Sequence, residues 1–357
     1  MKLRAFAFLL FPTLVLAGCG SSDSGSGSTG TTGGTASKES SGAKLKIVYI
    51  PKNEGNPYFN EVKRGFEDAA KELGADFTEV GPATGEATSQ IPIIKQQIQQ
   101  GVDVIAISPN SPDALNTVLD QAKTKGITVI TVDADLDKNE THRDAAVLPA
   151  DFDQIGSSQV ELLGKLTGYE GEFAILSATT DAPNQNAWIA KMKETLKDPK
   201  FSKMKLVETV FGDDKDVKST TETEGLLAKH PGLRGIIAPT SVGLAAAAPV
   251  IERTGVFPGG PHAVGKGLQL TGLSTPNQLK KFVNNGVVTS FQLWAPYNEG
   301  YLATYLGSQI HTKKLTPTAG ATFDTPKFGK QKLSDKLVVI GGPLVTFDKS
   351  NIDKSNF

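Results

Sequence analysis

The chain has 357 residues, with 37 Lys and Arg dispersed against 38 Asp and Glu for a formal net charge of −1, which leaves nucleic-acid binding without an electrostatic footprint. Its one cysteine rules out a disulfide within the chain, and its four histidines show no metal-ligand spacing, so neither a metal nor another cofactor is expected. Stability must come from hydrophobic cores, and the length suits two domains of ordinary size.

Lys2 and Arg4 precede an apolar run from Ala5 to Leu16. That run is shorter than the roughly 20 residues a membrane-spanning helix needs, and it suits a cleaved signal peptide. Leu16-Ala17-Gly18-Cys19 has the form of a bacterial lipoprotein box, in which cleavage before the cysteine frees a thiol that carries lipid. Residues 1–18 are therefore expected to be the signal peptide and Cys19 the lipidation site. Residues 19–43, nearly all Ser, Gly and Thr beyond the cysteine, have too little apolar surface to order and read as a flexible tether. Anchor and tether together give an address on the extracytoplasmic face of a cell membrane.

From Leu45 the chain alternates short β-rich apolar runs with amphipathic segments. Leu45 to Ile50 predicts a first strand, and Phe59, Val62, Phe66, Ala69, Ala70 and Leu73 at helical spacing predict a helix ended by Gly74. Ala75 to Val80, Val102 to Ser108 and Ile127 to Val132 read as further strands. The helices between them are striped by Ile91, Ile94 and Ile98, then by Ala114, Leu115, Val118 and Ala122. The rhythm restarts after Ala150. Helices are expected at Asp151 to Thr167, Asn184 to Leu196, after Lys215, at Ser241 to Arg253 and at Pro276 to Asn285. Strands are expected at Phe173 to Ser177, Lys205 to Phe211, Gly235 to Ala238, Leu268 to Leu273 and Val287 to Leu293, with extended segments at Leu337 to Ile340 and Leu344-Val345.

This alternation predicts an α/β fold of two doubly wound parallel-sheet lobes joined by a three-strand hinge. Residues 44–150 with 294–318 are expected in the N-terminal lobe, and 151–293 with 319–357 in the C-terminal lobe. The chain would cross between lobes near Ala150, near Trp294 and again before the final strands. Loops at the carboxyl ends of the strands would face each other across an interdomain cleft. Lys52, Asn56, Asp133, Asp135, Asn184, Gln185, Ser241 and Ser274 fall at such positions, with Tyr58, Phe59, Trp188 and Trp294 as nearby aromatics.

At these residues the chain resembles the type I periplasmic binding proteins, and among them the rhamnose-binding and autoinducer-2-binding sugar group. The resemblance is carried by Ile50-Pro51-Lys52, Asn56-Pro57-Tyr58-Phe59, Ser108 to Ala114, Val132 to Asp135 and Pro183 to Trp188. Further on it is carried by Ile237-Ala238-Pro239, Leu273 to Asn277, Phe291 to Trp294 and the closing Asn351 to Phe357. It implies a non-enzymatic extracytoplasmic substrate-binding lipoprotein of an ABC importer, monomeric, which takes a small sugar-like ligand to a permease and its ATPase. A sensor that docks on a membrane receptor kinase would share the same fold and cleft. In the autoinducer-2 binders the ligand is held at positions matched here by Lys52, Asp133, Gln185 and Pro239. Asn184 stands where those proteins carry Asp, and Ser241 where they carry Ala.

The chemistry of these residue types fits that implication. A carboxylate such as Asp133 accepts from two hydroxyls at once. Lys52 beside it would neutralise the charge and donate to a ligand oxygen, since an unpaired buried charge is costly. The amides of Asn184 and Gln185 match the mixed donor and acceptor character of a hydroxyl, with helix capping as the other reading of Asn184. Asp135 shares the strand end, where a cap is the alternative. Trp294 and Phe59 would stack on a sugar ring, although Phe59 also belongs to its helix's core stripe, and Trp188 reads as packing against its own sheet. No glycine-rich dinucleotide fingerprint, Walker motif or nucleophile elbow is present.

Overall fold

Residues 43–357 are described by the structure, a computed structural model. The expected signal peptide, Cys19 and nearly all of the tether lie outside the described residues. The first strand, Lys46–Ile50 (β1), points Ile47 and Tyr49 to one side and Val48 and Ile50 to the other, and all four are buried. Such a strand needs cover on both faces, which the following helices supply. Pro57–Leu73 (α1) starts where the Asn56 side chain accepts from the Tyr58 backbone N–H at 3.1 Å, and it ends at Gly74 in the left-handed conformation (φ 64°). Asp76–Glu79 (β2), Ile91–Gln100 (α2), Val104–Ile107 (β3), Asn116–Thr124 (α3), Thr128–Val132 (β4) and Ala145–Leu148 (β5) complete this part of the chain.

The second lobe begins with Phe152–Thr167 (α4), capped by Asp151, whose side chain accepts from two backbone N–H groups of the first turn. It continues through Glu170–Ser177 (β6), Pro183–Thr195 (α5), Lys203–Phe211 (β7), Asp216–Lys229 (α6), Gly235–Ala238 (β8) and Ser241–Thr254 (α7). Gln269–Gly272 (β9), Pro276–Asn284 (α8) and Ser290–Leu293 (β10) follow. The chain then returns to the first lobe as Pro296–His311 (α9), a hairpin of Thr322–Thr325 (β11) and Gly329–Lys332 (β12), and Val338–Ile340 (β13), before Val345–Asp348 (β14) closes on the second lobe.

Six strands form the first sheet in the order β13-β5-β4-β3-β1-β2, every pair parallel. Ile47 and Tyr49 on one face pack with Phe66 of α1 and Tyr301 of α9. Val48 and Ile50 on the other pack with Ile94 of α2 and Leu119 of α3. The second sheet runs β7-β6-β8-β9, also parallel, and a bridge from Leu273 to Gln292 joins it to the antiparallel pair β10 and β14.

Two helix glycines decide how α1 and α9 meet. A Cβ on Gly65 would collide with the Tyr297 carbonyl oxygen, and one on Gly300 with the Val62 carbonyl oxygen. The backbones therefore touch directly, as only glycine permits.

Apart from β5, the sequence expectations hold for the element order up to Leu293. Three features differ. β5 and the β11–β12 hairpin were not anticipated, and neither was α9, which is buried on nearly every side and so shows no amphipathic period. The expected assignment of residues 319–357 to the second lobe is corrected: Val338–Ile340 pairs parallel with Ala145–Leu148 at the edge of the first sheet. Only the segment from about Gly341 onward crosses over.

Candidate functional site

β1 and β4 are neighbours of β3, so their carboxyl ends deliver Lys52 and Asp133 to one place. Asp133 adopts φ 66°, a left-handed conformation that costs a non-glycine residue energy and that Asp tolerates better than most. Its backbone N–H still donates to the Val147 carbonyl at 3.1 Å, which ties this bend to β5. The Asp133 Oδ2 atom accepts from Ser108 Oγ at 2.7 Å and from Asn184 Nδ2 at 3.2 Å, with Lys52 Nζ 3.5 Å away. Lys52 Nζ in turn donates to Asn184 Oδ1 at 2.6 Å.

Lys52, Asp133 and Asn184 are 5%, 4% and 2% exposed, so water contributes little to their solvation and each relies on the others. Asn184 belongs to the second lobe, and the cluster therefore spans the cleft. The N-cap position of α5 is Ala182, and Asn184, one residue inside Pro183, accepts from the first-turn Gln185 backbone N–H at 2.9 Å while it also bonds Lys52 and Asp133. Gln185 follows it, and its Oε1 accepts from Ser177 Oγ at 2.8 Å and from the Ala178 backbone N–H at 2.7 Å. That leaves the amide Nε2 facing the pocket as a donor.

Pro239 and Ser241, after β8, line the same pocket, as do Phe59 and Trp294. Trp294 Nε1 donates to Glu299 Oε1 at 2.8 Å and to Tyr58 Oη at 2.9 Å, while Tyr58 Oη donates to the same Glu299 oxygen at 2.7 Å. Glu299 Oε2 is buried without a partner. Burial, with the charge of Asp133 close by, pushes the Glu299 carboxyl well above the usual carboxylate range. Burial and the charges of Asp133 and Glu299 raise the Tyr58 phenol likewise.

The structure brings Lys52, Asp133, Asn184, Gln185, Pro239, Ser241, Trp294 and Phe59 around one pocket. It does not bring Asp135 there. The bend at Asp133 returns the chain toward β4, where Asp135 accepts from Arg143 Nε and Nη2 at 2.6 Å each and from Thr131 Oγ1 at 2.8 Å. Asp135 faces a separate depression flanked by Glu140 and Asp153. Ser274 is fully buried and donates to the Ser241 carbonyl and Gln278 Oε1 at 3.3 Å.

Four contributors lay outside the sequence expectation. Trp188, read as sheet packing, does pack on Phe152 at 5.5 Å, but it also lines the pocket 5.8 Å from Trp294 with its buried Nε1 unpartnered. Asp214 and Thr240 line it as well. The position of Asp214 just after β7 carries the same strand-end signal that marked Asp133. Glu299 lies beneath the aromatic wall in a helix the sequence pattern did not reveal.

The family model for the periplasmic binding protein domain matches residues 47–315. The chain belongs to this family. Its fold is the type I architecture expected from the sequence, and the family comprises binding proteins, in keeping with the expectation that the chain is not an enzyme.

A solved ABC transporter solute-binding protein from Clostridium phytofermentas with bound L-rhamnose is 32% identical, with a TM-score of 0.81, covering 87% of this chain and 98% of the other. LsrB from Clostridium saccharobutylicum in complex with AI-2 shares the fold at a TM-score of 0.81 and 21% identity, covering 88% of this chain and all of that one. The ribose import binding protein RbsB of Bacillus subtilis is 25% identical over 189 residues, 51% of this chain and 57% of that protein.

Proposed function

We propose that this chain is the substrate-binding lipoprotein of an ABC importer, held by Cys19 on the extracytoplasmic face of the membrane. It captures a small neutral sugar between its lobes and hands it to a permease. The observation that carries this reading is the buried Lys52–Asp133–Asn184 cluster, built from both lobes and lying beside Trp294 and Trp188. Such a cluster offers donors and acceptors to hydroxyls and an aromatic wall to a sugar ring. The L-rhamnose bound to the 32% identical relative supports a monosaccharide ligand, and the ribose import role of another relative points the same way. Asn184 and Ser241, which differ from the autoinducer-2 pattern, support a monosaccharide over autoinducer-2.

The test is a thermal-shift and calorimetric titration of the full chain in detergent against L-rhamnose, D-ribose and autoinducer-2. A ligand at 100 times its dissociation constant adds about 2.7 kcal/mol of stability, which a melting curve resolves. No response to either sugar would refute the monosaccharide reading, and a response to autoinducer-2 alone would replace it. Anchoring is checked separately by labelled fatty-acid incorporation, which Cys19→Ser should abolish.

A further inference from the structure

The pocket has more hydrogen-bonding capacity than its own residues use. Asp133 spends Oδ2 on Ser108 and Asn184, and its Oδ1 makes no hydrogen bond among the described residues. Trp188 Nε1 is a buried donor without an acceptor. Asp214 adds a third open group.

The loop that carries Asp214 is fixed independently of that side chain. The Gly212 and Asp213 backbone N–H groups donate to the Ser177 and Ala178 carbonyls at 2.8 and 3.0 Å, which pins the loop to the end of β6. Asp213 and Asp214 both take left-handed backbone angles, φ 54° and 50°, and so point in different directions. Asp213 turns outward to a 2.6 Å ion pair with Lys218. Asp214 turns into the pocket, where one oxygen accepts from Thr240 Oγ1. Its other oxygen has no hydrogen bond, and no cation lies within salt-bridge distance of the group among the described residues.

We propose that Asp214 is the second carboxylate of the ligand site, supplied by the lobe opposite Asp133, and that the pair selects an uncharged polyhydroxy ligand over the same ligand bearing a carboxylate. The proposal rests on the sugar-binding reading and adds to it both a contact residue and a selectivity.

The charge count supports it. Among the described residues Lys52 is the one cation lining the pocket, against the two carboxyl groups of Asp133 and Asp214. Ligand hydroxyls would donate to the two open carboxylate oxygens, and a ring oxygen or hydroxyl would accept from Trp188 Nε1. A ligand carboxylate would instead meet like charge in a site with little water to screen it. Burial raises the Asp214 carboxyl, while Thr240 and the charge of Lys52 oppose the rise.

The experiment titrates the full chain in detergent with L-rhamnose, D-ribose and L-mannuronate, the acid that keeps the pyranose of L-rhamnose and carries a carboxylate in place of its methyl, comparing wild type with Asp214→Asn and Asp214→Ala. Wild type should bind a neutral sugar at least about 100-fold more tightly than the acid, the worth of two like-charge contacts. Both variants should lose fivefold or more in sugar affinity, on the scale of one charge-assisted hydrogen bond, and Asp214→Asn should also narrow the gap between sugar and acid. Asp214→Asn keeps size and loop preference, and it decides alone if Asp214→Ala fails to fold. A loss below fivefold in Asp214→Asn, or the acid bound as tightly as the sugar, overturns the proposal while sugar binding stands. Wild type silent toward both sugars instead overturns the reading beneath it, and the proposal with it.

Discussion

A single residue, Ala134, separates Asp133 from Asp135 just beyond the end of β4, and each faces a buried cation. Arg143 meets Asp135 through two bonds of 2.6 Å, and the Thr131 hydroxyl and Leu136 N–H take up remaining lone pairs. Asp133 lies 3.5 Å from Lys52 and receives two bonds on a single oxygen. A saturated carboxylate has nothing left to offer and serves the fold. A half-used one, beside a pocket, is where a ligand's hydroxyls gain most. The same residue type at the same strand end is thus sorted by its unspent lone pairs.

That contrast can be broken by substitution. The largest effect expected is on stability from Asp135→Ala, about 3 kcal/mol or more, because Arg143 is left buried and unpaired. Urea unfolding measures it, and sugar affinity in the folded variant should stay within about twofold. Asp133→Asn should act mainly on binding. It keeps the left-handed backbone and removes the charge, so affinity should fall by about 30-fold, near 2 kcal/mol, with a loss of stability smaller than that of Asp135→Ala because Lys52, though left without its carboxylate, still donates to Asn184 Oδ1. Equal effects of the two substitutions on binding would erase the distinction.

Glu299 is a third buried carboxyl and sharpens the comparison, since one of its oxygens takes two donors and the other takes none. Its carboxyl is raised above the ordinary value of about 4.3 by burial. The folded state therefore holds the proton longer than the unfolded state. The associated stability is complete below about pH 4 and is lost as pH rises above that value. Glu299→Gln, neutral throughout, should match wild type near pH 4 and exceed it increasingly toward pH 7 in urea unfolding. A constant difference across that range would mean Glu299 is ionised in the fold. The smallest effect is expected from Ser274→Ala, about 1 kcal/mol of stability from lost buried hydrogen bonds, with no measurable change in sugar affinity.

The sequence made the alternating elements legible because both sheets are parallel and buried, so strands such as Val104–Ile107 read as unbroken apolar runs and helices as striped ones. It also gave Lys52, Asp133, Asn184 and Gln185 through strand-end position and family resemblance. α9 escaped because a helix buried all round has no stripe, and Glu299 escaped with it. Asp135 was placed with Asp133 because adjacency at a strand end carries no information about the φ 66° bend that separates them. Asp214 was passed over since the pair Asp213-Asp214 reads as a solvated turn, and only the fold shows that one member faces Lys218 and the other the pocket.

The strand β13 has a consequence for how the chain is made. Its partner β5 ends at Leu148, yet β13 begins at Val338, with all of the second lobe but its closing segment lying between them. A chain emerging from its amino end cannot finish the first lobe until nearly everything else has been synthesised. During that interval the edge of β5 is uncovered, a template for mispairing. A late-closing first lobe is thus written into the topology, and folding would be completed only once the carboxyl-terminal residues have arrived.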